Sequence, residues 1–264
     1  MLRIPPSRVA FALVMIGIGI WGFAQGGFVG VWAPGIRQAS FAPAVAAWCS
    51  LISIATGIGT VWRPAAHWAG RALFGWLVLW LIWCKGPPLI HTPADPAAWE
   101  SAGETVVLIA AAWALAEASD GYFLNRSRGP IATSGPLILY GFALIAFGIS
   151  HFGYASLTAS LVPSWLPARL FWAYLTGATY VAAGIALVAG RFMRAAAILS
   201  SLQIALFGVL VWLPKIAAGV RDADTLNETA ISFALAVSGW VIATAVSHRF
   251  AHEEKAGGMP RPSR

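Results

Sequence analysis

Charged residues are scarce in this sequence. Only 10% of its 264 residues are charged and 59% are hydrophobic, whereas a typical soluble domain has about 25% charged and about 45–50% apolar residues. A soluble fold of this composition would have too few polar side chains to cover its surface. The composition therefore excludes an ordinary soluble domain and favours a chain that lies in lipid.

Cysteine is scarce as well, with only Cys49 and Cys84 in the chain. Two thiols cannot form a disulfide framework or a thiolate cluster. They are either buried free cysteines, which behave as small hydrophobic residues, or a pair that closes in an oxidising compartment. The sequence also lacks a metal-ligand cluster, a P-loop, a haem-type histidine pair and a nucleophile motif. We therefore predict no metal site, and whether the protein is an enzyme stays open.

Long apolar runs, in contrast, recur along the whole chain. A helix needs about 17–25 mostly apolar residues to cross a bilayer, and backbone groups in lipid must find partners within the protein. The sequence predicts an all-α polytopic membrane helix bundle of about eight transmembrane helices, embedded in a lipid bilayer. The predicted spans are Val9–Val31, Pro43–Trp62, Trp68–Cys84, Gly103–Ser119, Ile131–Ala155, Ala168–Gly190, Ala195–Leu213 and Thr229–Ser247.

The net charge is +7. Its basic residues lie mainly in the short segments between these spans, so no nucleic-acid partner is expected. Lys and Arg favour cytoplasmic loops. With the N-terminus inside the cell, twelve of the 17 basic residues fall on inner segments and five on outer segments. This asymmetry predicts that both termini are cytoplasmic (N-in, C-in) and that the protein is a multi-pass protein of the cell's inner membrane.

The two halves of the chain share a faint pattern. Gln25, Trp83, Lys85 and Glu104 occur in the same order as His151, Trp212, Lys215 and Glu228, at a nearly constant separation along the chain. Four crossings return a chain to its starting side, so such halves would be parallel repeats. The pattern predicts a first four-helix repeat over residues 1–128, a second over residues 129–250, and a short polar cytoplasmic tail over residues 251–264.

The second half carries the clearer motifs. They are His151-Phe152, Val162-Pro-Ser-Trp-Leu-Pro167, Trp172, Thr176-Gly177, Gly184-Ile-Ala-Leu-Val188 and Arg191. From Tyr140 to Ala245 the chain thus resembles the DoxX-like family of membrane proteins, and the first half resembles a degenerate second copy. The resemblance implies a four-helix unit and an association with envelope redox systems, including quinone-linked sulfur oxidation. The chain departs from the family at Tyr180, where many relatives carry a glutamate.

Six polar residues form the candidate pocket, which we expect near the outer face. They are His151, Gln25, Glu104, Glu228, Lys85 and Lys215. The glutamates are predicted at the outer starts of the fourth and eighth helices. There they either stabilise the helix through its dipole or handle protons or a cation. The lysines are their predicted salt-bridge partners. His151 is either a packing residue or a group that exchanges protons with a quinone, and its counterpart Gln25 cannot titrate.

The sequence therefore predicts a DoxX-like membrane component of an envelope redox system. Its cofactor is open, with quinone as the candidate, and its candidate partner is a membrane redox protein. Two alternatives remain: a small-solute or ion transporter, and a non-catalytic assembly subunit.

Overall fold

The structure, a computed structural model, describes residues 4–33, 40–119 and 130–257. Within these ranges the regular secondary structure is entirely helical. Eight continuous helical segments, two of which include a π-helical turn, are long and apolar enough to cross a membrane. The prediction of an all-helical chain with eight membrane-length helices is therefore confirmed, and it indicates a multi-pass membrane protein. Several basic residues used to predict the orientation lie outside the described residues, namely Arg3, Arg37, Arg126, Arg128, Arg261 and Arg264.

Eleven α-helices follow one another along the described part of the chain. They are α1 (Pro6–Gln25), α2 (Ala42–Val61), α3 (Ala66–Trp80), α4 (Gly86–His91), α5 (Pro96–Ser119), α6 (Pro130–Gly153), α7 (Ala155–Leu161), α8 (Arg169–Val188), α9 (Met193–Phe207), α10 (Leu213–Ala217) and α11 (Ala223–Gly257). A 3-10 turn, Gly30–Trp32, lies between α1 and α2. Two π-helical turns, Leu81–Lys85 and Gly208–Trp212, continue α3 into α4 and α9 into α10.

The first predicted span is too long. α1 ends at Gln25 because Gly26 adopts the left-handed conformation (φ 63°), and its N–H is bonded to the carbonyl oxygens of Gly22 and Phe23. Glycine enters this region without steric cost, which makes it the usual helix-ending residue. The residues up to Val31 then leave the helix, and the chain turns back into the bundle.

The fourth and eighth predicted spans begin too late. α5 begins at Pro96, where Asp95 Oδ1 accepts a hydrogen bond from the Ala97 N–H at 3.0 Å. An aspartate before a proline at the first helical position is a typical helix start. α11 begins at Ala223. The prediction that Glu104 and Glu228 stand at helix starts is therefore wrong, because Glu104 lies two turns into α5 and Glu228 lies more than one turn into α11.

The two central helices of the bundle are α5 and α11. They pack against each other. Each also packs against two peripheral helices of the bundle: α5 against α3 and α6, and α11 against α9 and α1. The remaining outer contacts are α1 with α2, α2 with α3, α6 with α8, and α8 with α9. On α5 every residue from Leu108 to Ala112 is buried. Polar side chains on α5 and α11 are thus brought together inside the protein.

Close packing of α1 on α2, and of α6 on α8, depends on glycine. A Cβ atom added to Gly19 would lie 2.5 Å from the Ser50 carbonyl oxygen, and one added to Gly148 would lie 2.5 Å from the Gly177 carbonyl oxygen. Small residues let helix backbones approach closely in lipid, where no hydrophobic force drives helices together. Both helix pairs therefore need glycine at these contacts.

Candidate functional site

A cleft of about 660 Å³ opens between α8 and α9. Most of its wall is apolar, with leucine and alanine side chains from both helices. Its polar lining comes from His151, Thr158, Thr176, Thr179, Tyr180, Ser200 and Gln203. Pockets for small molecules typically combine an apolar wall with a few placed polar groups. The cleft is therefore suited to a lipid-soluble ligand with a polar head.

His151 and Tyr180 lie side by side in the wall of this cleft. Their rings are nearly perpendicular, with centroids 5.3 Å apart. His151 Nδ1 lies 2.8 Å from the carbonyl oxygen of Phe147. Since a carbonyl oxygen only accepts, Nδ1 is the donor, and Nε2 is then the acceptor of a neutral ring. Tyr180 also contacts Phe147, at 6.0 Å between ring centroids. These contacts fix both polar rings where α6 meets α8.

Gln203 connects α9 to α8 across the cleft. Its side-chain amide donates to the Thr176 carbonyl oxygen at 3.0 Å, and its Oε1 accepts from the Thr179 hydroxyl at 2.7 Å. The Tyr140 and Ser200 hydroxyl groups are hydrogen-bonded to each other at 3.0 Å and are buried. Polar groups inside a membrane protein need such internal partners. The sequence analysis missed Tyr180 and Gln203 as site residues, although polar groups within a span are candidates by default.

A second polar group, the carboxylate cluster, consists of Glu100, Glu104 and Glu228 on the two central helices. Each of the three side chains is half-buried. Glu104 interacts electrostatically with Glu100, Glu228 and Lys85, and Glu100 interacts with Glu228. Glu100 also interacts electrostatically with Tyr180, although none of the three glutamates lines the cleft itself. The sequence analysis had placed Glu100 in a loop, because it begins the fourth span only at Gly103.

Lys85 is a buried residue of the bundle, with 5% of its surface exposed. Its ammonium group donates to the Ala33 carbonyl oxygen at 3.0 Å and to the Ser101 hydroxyl at 2.7 Å. A π-helical turn contains an extra residue and shifts the faces of a helix. Here it leaves Trp83 74% exposed while Lys85 points inward. Lys85 thus belongs to the carboxylate cluster rather than to an open loop.

Lys215 lies at the edge of the carboxylate cluster. Its Nζ is 4.2 Å from the centre of the Trp212 ring, and it interacts electrostatically with Glu228. A cation over an indole ring is attracted by the ring's negative face. The half-buried Lys215 therefore has both an aromatic and an acidic neighbour.

Gln25 lies apart from both polar groups. It is exposed at the end of α1 and lines a smaller cavity of about 290 Å³ with Phe28 and Asn227. Four of the six candidate residues, Glu104, Glu228, Lys85 and Lys215, are thus gathered around the carboxylate cluster. His151 lies in the neighbouring cleft, and Gln25 in a cavity of its own.

The two cysteines are free thiols in this structure, with Cys49 buried and Cys84 half-buried. In the described part of the chain, no group of three or more His, Cys, Asp or Glu residues is arranged to hold a metal ion. The cleft and the carboxylate cluster are the two places described above where several polar side chains are grouped inside the protein.

Comparison with known proteins gives one family match, in the second half of the chain. A family model described as a domain of unknown function (DUF8561) matches residues 140–249. No curated protein and no solved structure matches the chain. The matched residues include His151, Tyr180 and Gln203, and they leave α1 to α5 outside. The half of the protein that contains the cleft is therefore similar to this family.

Proposed function

We propose that this protein binds a membrane quinone in the cleft between α8 and α9. The observation that carries the proposal is an apolar cleft of about 660 Å³ with His151 and Tyr180 in its wall. A quinone has a flat head with two carbonyl oxygens and a long apolar tail. The leucine and alanine wall suits the tail, the Tyr180 hydroxyl can donate to a quinone carbonyl oxygen, and His151 Nε2 can accept from a hydroxyl group of the reduced quinone. Histidine can also exchange a proton with a quinone oxygen near neutral pH.

The same proposal assigns the protein to an envelope redox system, as a DoxX-like component that works with a membrane redox partner protein. It is supported by the resemblance of residues 140–245 to that family. The carboxylate cluster adds a physical reason, because reduction of a quinone consumes protons and Glu100 interacts electrostatically with Tyr180. We propose that the carboxyl groups of this cluster deliver those protons.

We further propose that the eight spans are two parallel four-helix repeats. In support, equivalent helices start at a constant spacing along the chain. The first such pair is α2, which begins at Ala42, and α8, which begins at Arg169. The same spacing separates α3, which begins at Ala66, from α9, which begins at Met193. It also separates the two π-helical turns. The neighbours of each helix in one half match those of its counterpart in the other.

The glycine contacts indicate how α1 and α6, the first helices of the two proposed repeats, align residue by residue. Gly19 and Gly148 make the same contact with their partner helices, so we pair these two glycines. In this register His151 is paired with Gly22, one turn before Gln25. The histidine would then have no polar counterpart in the first half.

The proposed orientation has both termini inside the cell and the protein in the inner membrane. It is supported by the distribution of the basic residues, as counted in the sequence. Arg191 and Arg221 are both exposed between helices and are proposed to lie on opposite sides. In a Cys49→Ser, Cys84→Ser background, Arg221→Cys should react with a membrane-impermeant maleimide added to spheroplasts. Arg191→Cys should react only after permeabilisation, and the reverse result would overturn the orientation.

Gentle detergent purification followed by mass spectrometry of extracted small molecules tests the quinone proposal. We expect a quinone in near-stoichiometric amount, lost in a His151→Ala variant and retained in a His91→Ala variant, because His91 is exposed on α4. Bulk lipid alone, or a quinone retained after His151 and both Glu104 and Glu228 are replaced, would overturn the proposal.

A second candidate function is proton- or cation-coupled transport of a small solute. It is favoured by the carboxylate cluster, which lies on the two central helices α5 and α11. Proteoliposomes with an internal pH dye provide the test: a solute-dependent pH change that Glu104→Gln removes would support transport. If neither a quinone nor a transported solute is found, and a specific partner copurifies, the protein is an assembly subunit.

A further inference from the structure

Trp32 inserts an aromatic side chain into the first half of the protein. It is 1% exposed. Its indole N–H donates to the Ser53 hydroxyl on α2 at 2.9 Å, and its ring meets the Trp80 ring of α3 edge-on at 5.6 Å. The segment that carries it is anchored on α11, where the Gly30 N–H donates to Asn227 Oδ1 at 3.2 Å. A two-ring aromatic group is thus held between α2 and α3 by one hydrogen bond and one ring contact.

The counterparts of these contact residues all line the cleft of the second half. At the spacing that relates α2 to α8 and α3 to α9, Ser53 is paired with Tyr180 and Trp80 with Phe207. Both counterparts line the cleft. Trp76, the neighbour of Trp80, is paired with Gln203, another cleft residue.

The segment that would fill the cleft is built differently in the second half. After α6 the chain forms the short helix α7, whose sequence, ASLTASL, includes no aromatic side chain. α7 contributes Thr158 to the wall of the cleft. The segment between α6 and α8 also carries Tyr154 and Trp165, but neither lines the cleft, so no aromatic side chain of this segment occupies the space that Trp32 fills in the first half.

We infer that the cleft selects a ligand with a fused two-ring head of about the size of an indole, and therefore prefers a naphthoquinone to a single-ring benzoquinone. This inference rests on the proposed quinone binding and on the proposed repeats. Trp32 then occupies the first half as a built-in ligand. Where Ser53 accepts from the indole N–H, the Tyr180 hydroxyl can donate to a quinone carbonyl, and Phe207 replaces Trp80 as the aromatic neighbour.

Head-group preference in the unaltered protein is the first measurement. The full chain in detergent micelles is dialysed against a decyl-substituted 1,4-naphthoquinone or a decyl-substituted 1,4-benzoquinone, so that only the heads differ. We expect a Kd about tenfold lower for the naphthoquinone, a difference of about 1.4 kcal/mol. Equal affinities, or a preference for the single ring, would overturn the inference and leave the proposed quinone binding in place. Binding of neither probe would overturn both.

Two variants test the role of Trp32. Trp32→Ala removes the built-in ligand and should raise the amount of bound 2-methyl-1,4-naphthoquinone from one to two molecules per chain. Trp83→Ala is its control, because Trp83 is largely exposed. A folded Trp32→Ala protein that still binds one molecule would contradict the inference. If that variant does not fold, Gln203→Trp is the second test, because it places in the cleft the residue type that Trp76 supplies in the first half. This change should abolish naphthoquinone binding. An unchanged affinity of the Gln203→Trp protein would overturn the inference.

Discussion

His151 of α6 and Tyr180 of α8 meet edge to face, with their ring centroids 5.3 Å apart. Between aromatic rings this geometry is favourable because the positive ring edge faces the negative ring face. The contact places an imidazole and a phenol together in a mostly apolar wall. It also gives Tyr180 a defined place in the proposed site.

Tyr180→Phe should weaken quinone binding without disturbing the fold. The change removes the hydroxyl group and keeps the ring contacts with His151 and Phe147. Loss of one hydrogen bond to a ligand costs about 0.5–1.5 kcal/mol, so we expect a Kd about two- to tenfold higher. Equilibrium dialysis measures this. Tyr174→Phe is the matched control, since Tyr174 is 48% exposed, and an equal effect of both changes would contradict the prediction.

Gly148→Ala should destabilise the bundle. The new Cβ atom would lie 2.5 Å from both the Gly177 carbonyl oxygen and the Val181 side chain, so α6 and α8 must move apart, at a cost of about 1–3 kcal/mol. Gly75→Ala is the control, because a Cβ atom at Gly75 meets nothing within 4 Å and alanine favours a helix. Thermal unfolding in detergent should show a lower Tm for the first variant alone. Similar Tm values would argue against close packing at Gly148.

Lys85→Met should be more damaging than Lys215→Met. The first change removes a buried ammonium group that bonds to Ala33 and Ser101 and lies near Glu104. Breaking such a buried charge arrangement costs about 3–5 kcal/mol. Lys215 has a cation–π contact, worth about 0.5–1 kcal/mol at an accessible site. Unfolding free energies of the two variants, measured in the same detergent, decide the order, and a larger loss at Lys215 would refute it.

The start of α11 should weaken in acid. Asp222 is fully accessible, and it accepts hydrogen bonds from the Thr225 N–H at 2.8 Å and the Thr225 hydroxyl at 2.9 Å. These bonds hold the pKa of the Asp222 carboxyl below its ordinary value of 3.8. A group with a lowered pKa stabilises the folded state above its unfolded pKa, and this stabilisation disappears as the pH falls through the folded pKa.

The measurement for Asp222 is hydrogen exchange of the first α11 amides between pH 6 and pH 2, corrected for intrinsic rates. Protection in the unaltered protein should decrease below the ordinary pKa of the carboxyl group. Asp222→Asn can still cap the helix but cannot titrate, so its protection should not change across the same range. A parallel decrease in both proteins would mean that another group is responsible.

The membrane helices could be predicted from the sequence because their signal is local. Runs of apolar residues identify all eight, and the true start of α5 was marked by Asp95-Pro96. That start was missed because Glu100 lowers the hydropathy of the first turns. A run of apolar residues therefore shows where the apolar part of a helix begins, and the helix itself can begin several residues earlier.

The cleft itself was beyond sequence prediction. His151 could be selected as a titratable residue within a span, whereas the sequence alone does not distinguish Tyr180 and Gln203 from the other polar residues of the spans. Their role depends on how far apart α8 and α9 stand, which is set by packing across the whole bundle. Lys85 was selected as a pocket residue, but the π-helical turn that carries it inward was not predicted, because such turns have no clear local signal in the sequence.

The two π-helical turns bear on the history of the chain. Each contains one residue more than an α-helical turn needs, and the two stand at the same spacing as the helices around them. If both halves descend from one ancestral unit, the extra residue was already present when that unit was duplicated. The inward lysine of the first half and the open cleft of the second would then be differences that arose after the duplication, on a backbone that both copies inherited.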